Sequence, residues 1–226
     1  MQAKRVGVDI ITAMDDPKLF GSMFQGSSWG IWRVTLKALF GLKMTGAEYD
    51  TYRRVSGRSV KPKRPFKELW SVVGRRGGKS RIMALVAVFT ACFRSYRGVL
   101  AAGERGKVMI IASDRQQAKV VFGYVASLLD GSSLLRQMIT KRSTDTISLT
   151  NRIDITVATA SFKTTRGFTI VAAICDEISF WRSDDVGANP DVDILNALRP
   201  GMATISGSLL LVISSPYARR GALWQA

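Results

Sequence analysis

Val73-Gly74-Arg75-Arg76-Gly77-Gly78-Lys79-Ser80 decides how the rest of this 226-residue chain is read. A short apolar stretch at residues 69–73 precedes it, and a helix is expected over residues 79–95. The octapeptide is therefore a glycine-rich turn between a strand and a helix, the setting a phosphate loop requires. Glycines let backbone amides close on phosphate oxygens, and the helix N-terminus adds positive potential. On this reading Gly74, Arg75, Arg76, Gly77, Gly78, Lys79 and Ser80 form a cradle for ATP. Lys79 reaches the outer phosphates and the Ser80 hydroxyl ligates Mg2+. One departure stands out: where G-x-x-x-x-G-K-S has its first glycine this chain has Val73, with Gly74 one place later.

Downstream, short apolar runs alternate with helical segments. Strands are expected at residues 108–112, 146–149, 153–158, 170–175 and 209–213, the pair 146–149 and 153–158 meeting around Asn151-Arg152. Helices are expected at residues 115–129 and 192–198, the latter ended by Pro200-Gly201. Alternation of this kind implies an α/β fold with a mainly parallel central sheet. The run at 170–175 is apolar throughout, as in strands buried on both faces, and it ends in Asp176-Glu177. Ligands of open α/β sheets sit at the carboxyl ends of strands. Asp176 is accordingly assigned to the Mg2+ shell and Glu177 to the water that attacks the γ-phosphate. Ser214-Ser215 closes the run at 209–213 and is placed to sense the γ-phosphate.

Composition narrows the chemistry further. The chain has no histidine, which removes Ser-His-Asp triads, Cys-His dyads and histidine-ligated zinc. Thirty-three Lys and Arg oppose 17 Asp and Glu, a net charge of +16 that favours a polyanionic partner such as nucleic acid. The excess is concentrated in residues 52–81, where Glu68 is the lone acid. Cys92 and Cys175 lie in apolar runs and read as core residues in a reducing compartment. No apolar run is long enough for a bilayer and no secretory leader is evident, so a soluble protein without membrane contact is expected. Residues 1–65 read as a mostly helical lead-in and basic linker, with Thr45 and Glu48 as a capping box, and residues 66–226 as the ATPase core. Asp184, Asp185, Asp191 and Asp193 read as a solvated loop.

Taken in order, the phosphate loop, Asp176-Glu177 and Ser214-Ser215-Pro216 resemble the ATPase domain of the large terminase subunit of tailed bacteriophages, the DNA-packaging motor. The likeness extends to Ser28-Trp29-Gly30-Ile31-Trp32 and to Glu68-Leu69-Trp70. It implies a P-loop NTPase fold of the additional-strand, catalytic-glutamate (ASCE) type and an ATPase using ATP and Mg2+. It implies double-stranded DNA as the translocated partner, a homo-oligomeric ring, portal and small terminase subunit as further partners, and the host cell cytoplasm as the location. Such loops carry an arginine four places before the lysine, here Arg75, and either Arg75 or Arg76 is expected on the phosphates. Arg166, in Arg166-Gly167, is implied as a finger reaching a neighbouring subunit's ATP, where a guanidinium spreads charge over the transferring phosphoryl group. Ser214 and Ser215 are implied as the coupling motif. The family's C-terminal nuclease has no counterpart in these residues, so a motor domain without nuclease activity is expected. Two other readings stay open: another P-loop NTPase acting on nucleic acid, and a non-catalytic basic scaffold on a nucleotide fold.

Overall fold

A computed structural model describes residues 7–160, 167–181 and 190–226. Its centre is a sheet of β1 (Glu68–Val72), β2 (Gly106–Ala112), β3 (Ile139–Arg142), β4 (Thr146–Leu149), β5 (Ile153–Thr159), β6 (Thr169–Asp176) and β7 (Leu209–Ser214), in the order β1-β7-β6-β2-β5-β4-β3. β1, β7, β6, β2 and β5 run parallel, and β4 and β3 close one side as antiparallel strands. β7 thus lies between the strand that feeds the phosphate loop and the strand that ends in Asp176, as the ASCE arrangement expects.

Side-chain alternation places the sheet between two apolar layers. Val108, Ile110, Leu209, Leu211 and Ile213 point to one face, while Met109, Ile111, Leu210 and Val212 point to the other. The first face is covered by α4 (Lys79–Cys92) and α5 (Arg115–Asp130), the second by α7 (Pro190–Ala203). Residues Ile82 to Ala91 of α4 are all buried, so this helix has no polar face to offer water. Its outer side is covered by the lead-in: α1 (Ile10–Asp15) and α2 (Gly30–Phe40) bury Ile10, Met14, Leu36 and Leu39 in the same core. The expected capping box is formed, opening α3 (Gly46–Ser56) with Thr45 and Glu48 bonded reciprocally. Among the described residues no helix is long and apolar enough to cross a membrane.

Three expectations are corrected. The helix expected to stop before Pro200-Gly201 continues through both to Ala203. Proline removes one backbone donor there, but Leu198 and Met202 bury against the sheet on either side of it, and Gly201 permits close approach. A Cβ at Gly201 would stand 2.5 Å from the Phe168 carbonyl oxygen. β3 is an additional strand, one that sequence pattern does not announce: its Thr140, Lys141 and Arg142 are exposed at the sheet edge and carry no apolar run. Finally, Asp191 belongs to the first turn of α7 rather than to a solvated loop. It is buried and accepts a 2.6 Å bond from the Ala222 amide, tying down α8 (Ala222–Gln225). Asp184 and Asp185 lie outside the described residues.

Candidate nucleotide site

Strand register assembles the site. Val72 of β1 is opposite Ser214 of β7, and Ile213 is opposite Asp176 of β6, so three strands end together at one edge. The chain leaves that edge under control: the Val73 amide bonds Ser214 O and the Glu177 amide bonds Ile213 O, each at 2.9 Å. Residues 73–78 then form the loop that ends at the N-terminus of α4.

Within the loop, the departure from the usual pattern has a packing consequence. The Val73 side chain turns back onto Gly77, where a Cβ would meet Val73 Cγ1 at 2.5 Å. A valine at the first position therefore depends on glycine at the fourth place after it. Gly78 has a left-handed backbone, φ 81°, as does Arg76, φ 61°. Glycine adopts this region freely, whereas an arginine held there costs about 1–2 kcal/mol. Arg75 and Arg76 are both exposed on the loop.

Lys79 begins α4 and is buried. Its ammonium donates to Ser215 Oγ at 2.8 Å, to Val73 O at 3.1 Å and to Gly74 O at 3.3 Å, and lies 3.2 Å from Glu177 Oε1. Ser215 Oγ in turn donates to Glu177 Oε1 at 2.9 Å, and the Ser215 amide donates to Glu177 Oε2 at 2.6 Å. The Ser214 hydroxyl stands 3.2 Å from Glu177 Oε2 and accepts from the Ser179 amide at 3.3 Å. Glu177 itself is in the left-handed region, φ 51°. That conformation turns its side chain back over the strand ends, and the serine bonds offset the strain.

The adjacent carboxylates are tuned in opposite directions. Burial works to raise the Glu177 pKa, but bonds from the Ser215 amide and hydroxyl, with the Lys79 ammonium, outweigh it and hold the group below its ordinary value. Asp176 is 3% exposed. Burial, reinforced by the neighbouring Glu177 charge and only partly opposed by Lys79, pushes its carboxyl up to about 7. Its backbone carbonyl is capped by the Trp181 indole at 3.0 Å. A buried carboxyl with a raised pKa beside a phosphate loop fits a divalent cation, which would restore the ionised form. Ser80, the hydroxyl that the sequence pairs with Asp176 for Mg2+, is half-buried in the first turn of α4.

Lys79, Glu177, Ser214, Ser215 and the Gly74 carbonyl are thus brought together, with Asp176 at the base of the cluster. Arg166 lies outside the described residues. Trp29 and Trp32, which in the sequence read as part of a helical lead-in, turn out to reach the loop. The Trp32 indole donates to the Gly77 carbonyl at 2.7 Å, and the Trp29 ring lies over Gly78, where a Cβ would meet it at 2.8 Å. A buried indole needs an acceptor, and that requirement is the signal the sequence carries.

A family model described as terminase large subunit, T4likevirus-type, N-terminal, matches residues 71–188, which include the loop and Asp176-Glu177. Among solved structures, the large terminase of bacteriophage HK97 matches with 15% identity and a TM-score of 0.51, over 84% of this chain and 38% of that one. The large terminase ATPase domain of Thermus phage P74-26 matches with 18% identity and a TM-score of 0.50, over 81% of this chain and 69% of that one. At these identities the likeness is one of fold, and the chain spans 38% of the length of the HK97 protein. No curated protein matches the sequence.

Proposed function

The chain belongs to the terminase large subunit family, T4likevirus-type, N-terminal part, and from that premise we propose that it is an ATP-hydrolysing motor that drives double-stranded DNA into a procapsid. The observation that carries the proposal is the meeting of Lys79, Ser215 and Glu177 at the carboxyl edge of the sheet. In this reading the loop amides and Lys79 bind the phosphates, with Arg75 or Arg76 added from the loop's exposed side. Ser80 and Asp176 would hold Mg2+, which would supply charge neutralisation at the bound phosphates. Glu177, ionised and fixed by Ser215, accepts the proton of the attacking water. Ser214 and Ser215 touch the water-activating carboxylate, and Ser215 also touches the phosphate lysine, so a change in phosphate occupancy is felt at the end of β7. That is the physical content of coupling in this site.

Duplex DNA as the partner is supported by the net charge of +16 and by where the cations stand. Arg53, Arg54, Arg58, Lys61, Lys63 and Arg64 are all exposed. Among the described residues none of them is in a salt bridge, whereas Arg33, Lys37, Arg105, Arg115, Arg142 and Arg199 all have carboxylate partners. Arg53 and Lys61 share the Tyr49 ring and Arg58 lies over Phe66, which fixes their direction. Such a surface suits phosphate backbone without base readout. In the assembled state the motor is proposed as a homo-oligomeric ring working with portal and small terminase subunit in the host cytoplasm.

The test is ATP turnover by wild type and Lys79→Ala, with and without duplex DNA. Turnover that duplex accelerates, and that Lys79→Ala abolishes, is expected. An equal rate in the lysine variant refutes the assigned site.

A further inference from the structure

The geometry points to Trp32 as a positioning residue that sets the direction of the Gly78 amide in the phosphate loop. The inference rests on the nucleotide reading of that loop. Trp32 is in the first turn of α2, 7% exposed, and its indole N–H reaches across to Gly77 O at 2.7 Å. The peptide from Gly77 to Gly78 is trans, as are the others described. In a trans peptide the carbonyl and the next N–H point to opposite sides of the chain. Anchoring Gly77 O toward α2 therefore turns the Gly78 N–H away from α2, to the open side of the loop. Among the described residues that N–H has no intramolecular acceptor, and at the N-cap of α4 none is supplied by the helix.

A glycine with φ 81° can be turned either way at little cost, so its own backbone preference does not fix the peptide. The contacts from α2 and the turn before it do. The Trp29 ring occupies the place of a Cβ on Gly78, so the position admits glycine alone, and Trp32 supplies the bond that favours one orientation. The lead-in thus does more than cover α4: it presents one donor of the phosphate cradle.

Trp32→Phe tests this, since it keeps an aromatic ring in place and removes the donor. The measurements are ATP and ADP affinity with Mg2+, KM and kcat for ATP, and the thermal unfolding midpoint. Leu36→Val, at a buried position one turn further along the same helix, is the packing control. The inference predicts that Trp32→Phe raises KM and both dissociation constants by roughly three- to ten-fold, the size of one hydrogen bond, with kcat nearly kept. Leu36→Val should lower the midpoint and leave KM unchanged. If Trp32→Phe binds both nucleotides as tightly as wild type, or if Leu36→Val raises KM equally, Trp32 only packs and the inference is overturned. Failure of wild type itself to bind ATP would instead overturn the nucleotide reading.

Discussion

The ammonium of Lys79 stands 3.2 Å from the carboxylate of Glu177, with the Ser215 hydroxyl bridging them at 2.8 and 2.9 Å. The three residues come from the start of α4, the end of β6 and the end of β7. Strand order brings about this meeting. With β7 between β1 and β6, its terminal hydroxyls lie between Lys79 and the acidic strand end.

Ser215→Ala should separate binding from catalysis. The Ser215 amide still holds one Glu177 oxygen, so the carboxylate stays near its place but loses the hydroxyl that ties it to Lys79. ATP affinity is expected to change little, kcat to fall about ten-fold, and stability to drop by about 1 kcal/mol. Steady-state kinetics together with thermal unfolding check all three.

Asp176 gives the site a pH dependence of known sign. Its carboxyl titrates near its ordinary 3.8 in the unfolded chain and at about 7 in the fold. Between those values the native state binds the extra proton, so stability falls as pH rises through that window. Asp176→Asn, neutral at every pH, should flatten the dependence and raise the unfolding midpoint relative to wild type more at pH 8 than at pH 5. If Asp176 ligates Mg2+ as proposed, Mg2+-nucleotide should stabilise wild type more at pH 8 than at pH 5 and the Asn variant little at either. Unfolding curves with and without Mg2+-ATP at the two pH values provide the check.

The basic arm makes a prediction in salt. Reversing Arg54, Lys63 and Arg64 to Glu together should weaken duplex binding strongly. For every DNA phosphate that the variant no longer neutralises, the slope of log affinity against log salt should shrink by about 0.9. Titrations at several salt concentrations read that slope. A slope equal to that of wild type would place the DNA elsewhere on the surface.

Legibility in the sequence follows physical cause. β1, the loop and α4 are readable because glycines at Gly74, Gly77 and Gly78 separate two apolar runs, and Asp176-Glu177 because a fully apolar strand seldom ends in two acids. β3 is not readable, since an edge strand of Thr140, Lys141 and Arg142 buries too little to show a pattern. The end of α7 reads too short because Pro200-Gly201 is a local stop signal, and the contacts that override it, Leu198 and Met202 on the sheet, are tertiary. The Trp32 bond to Gly77 is hidden for the same reason: a tryptophan at helical spacing looks like core until its indole is seen to reach another element.

The most direct test of the central claim is Glu177→Gln, measured as ATP affinity and single-turnover hydrolysis beside wild type. Because glutamine keeps the shape of the side chain and loses its basicity, ATP should bind within about three-fold of wild type while hydrolysis falls by about a hundred-fold or more. Hydrolysis at the wild-type rate would contradict the assignment of Glu177 and, with it, the motor reading of this sheet edge.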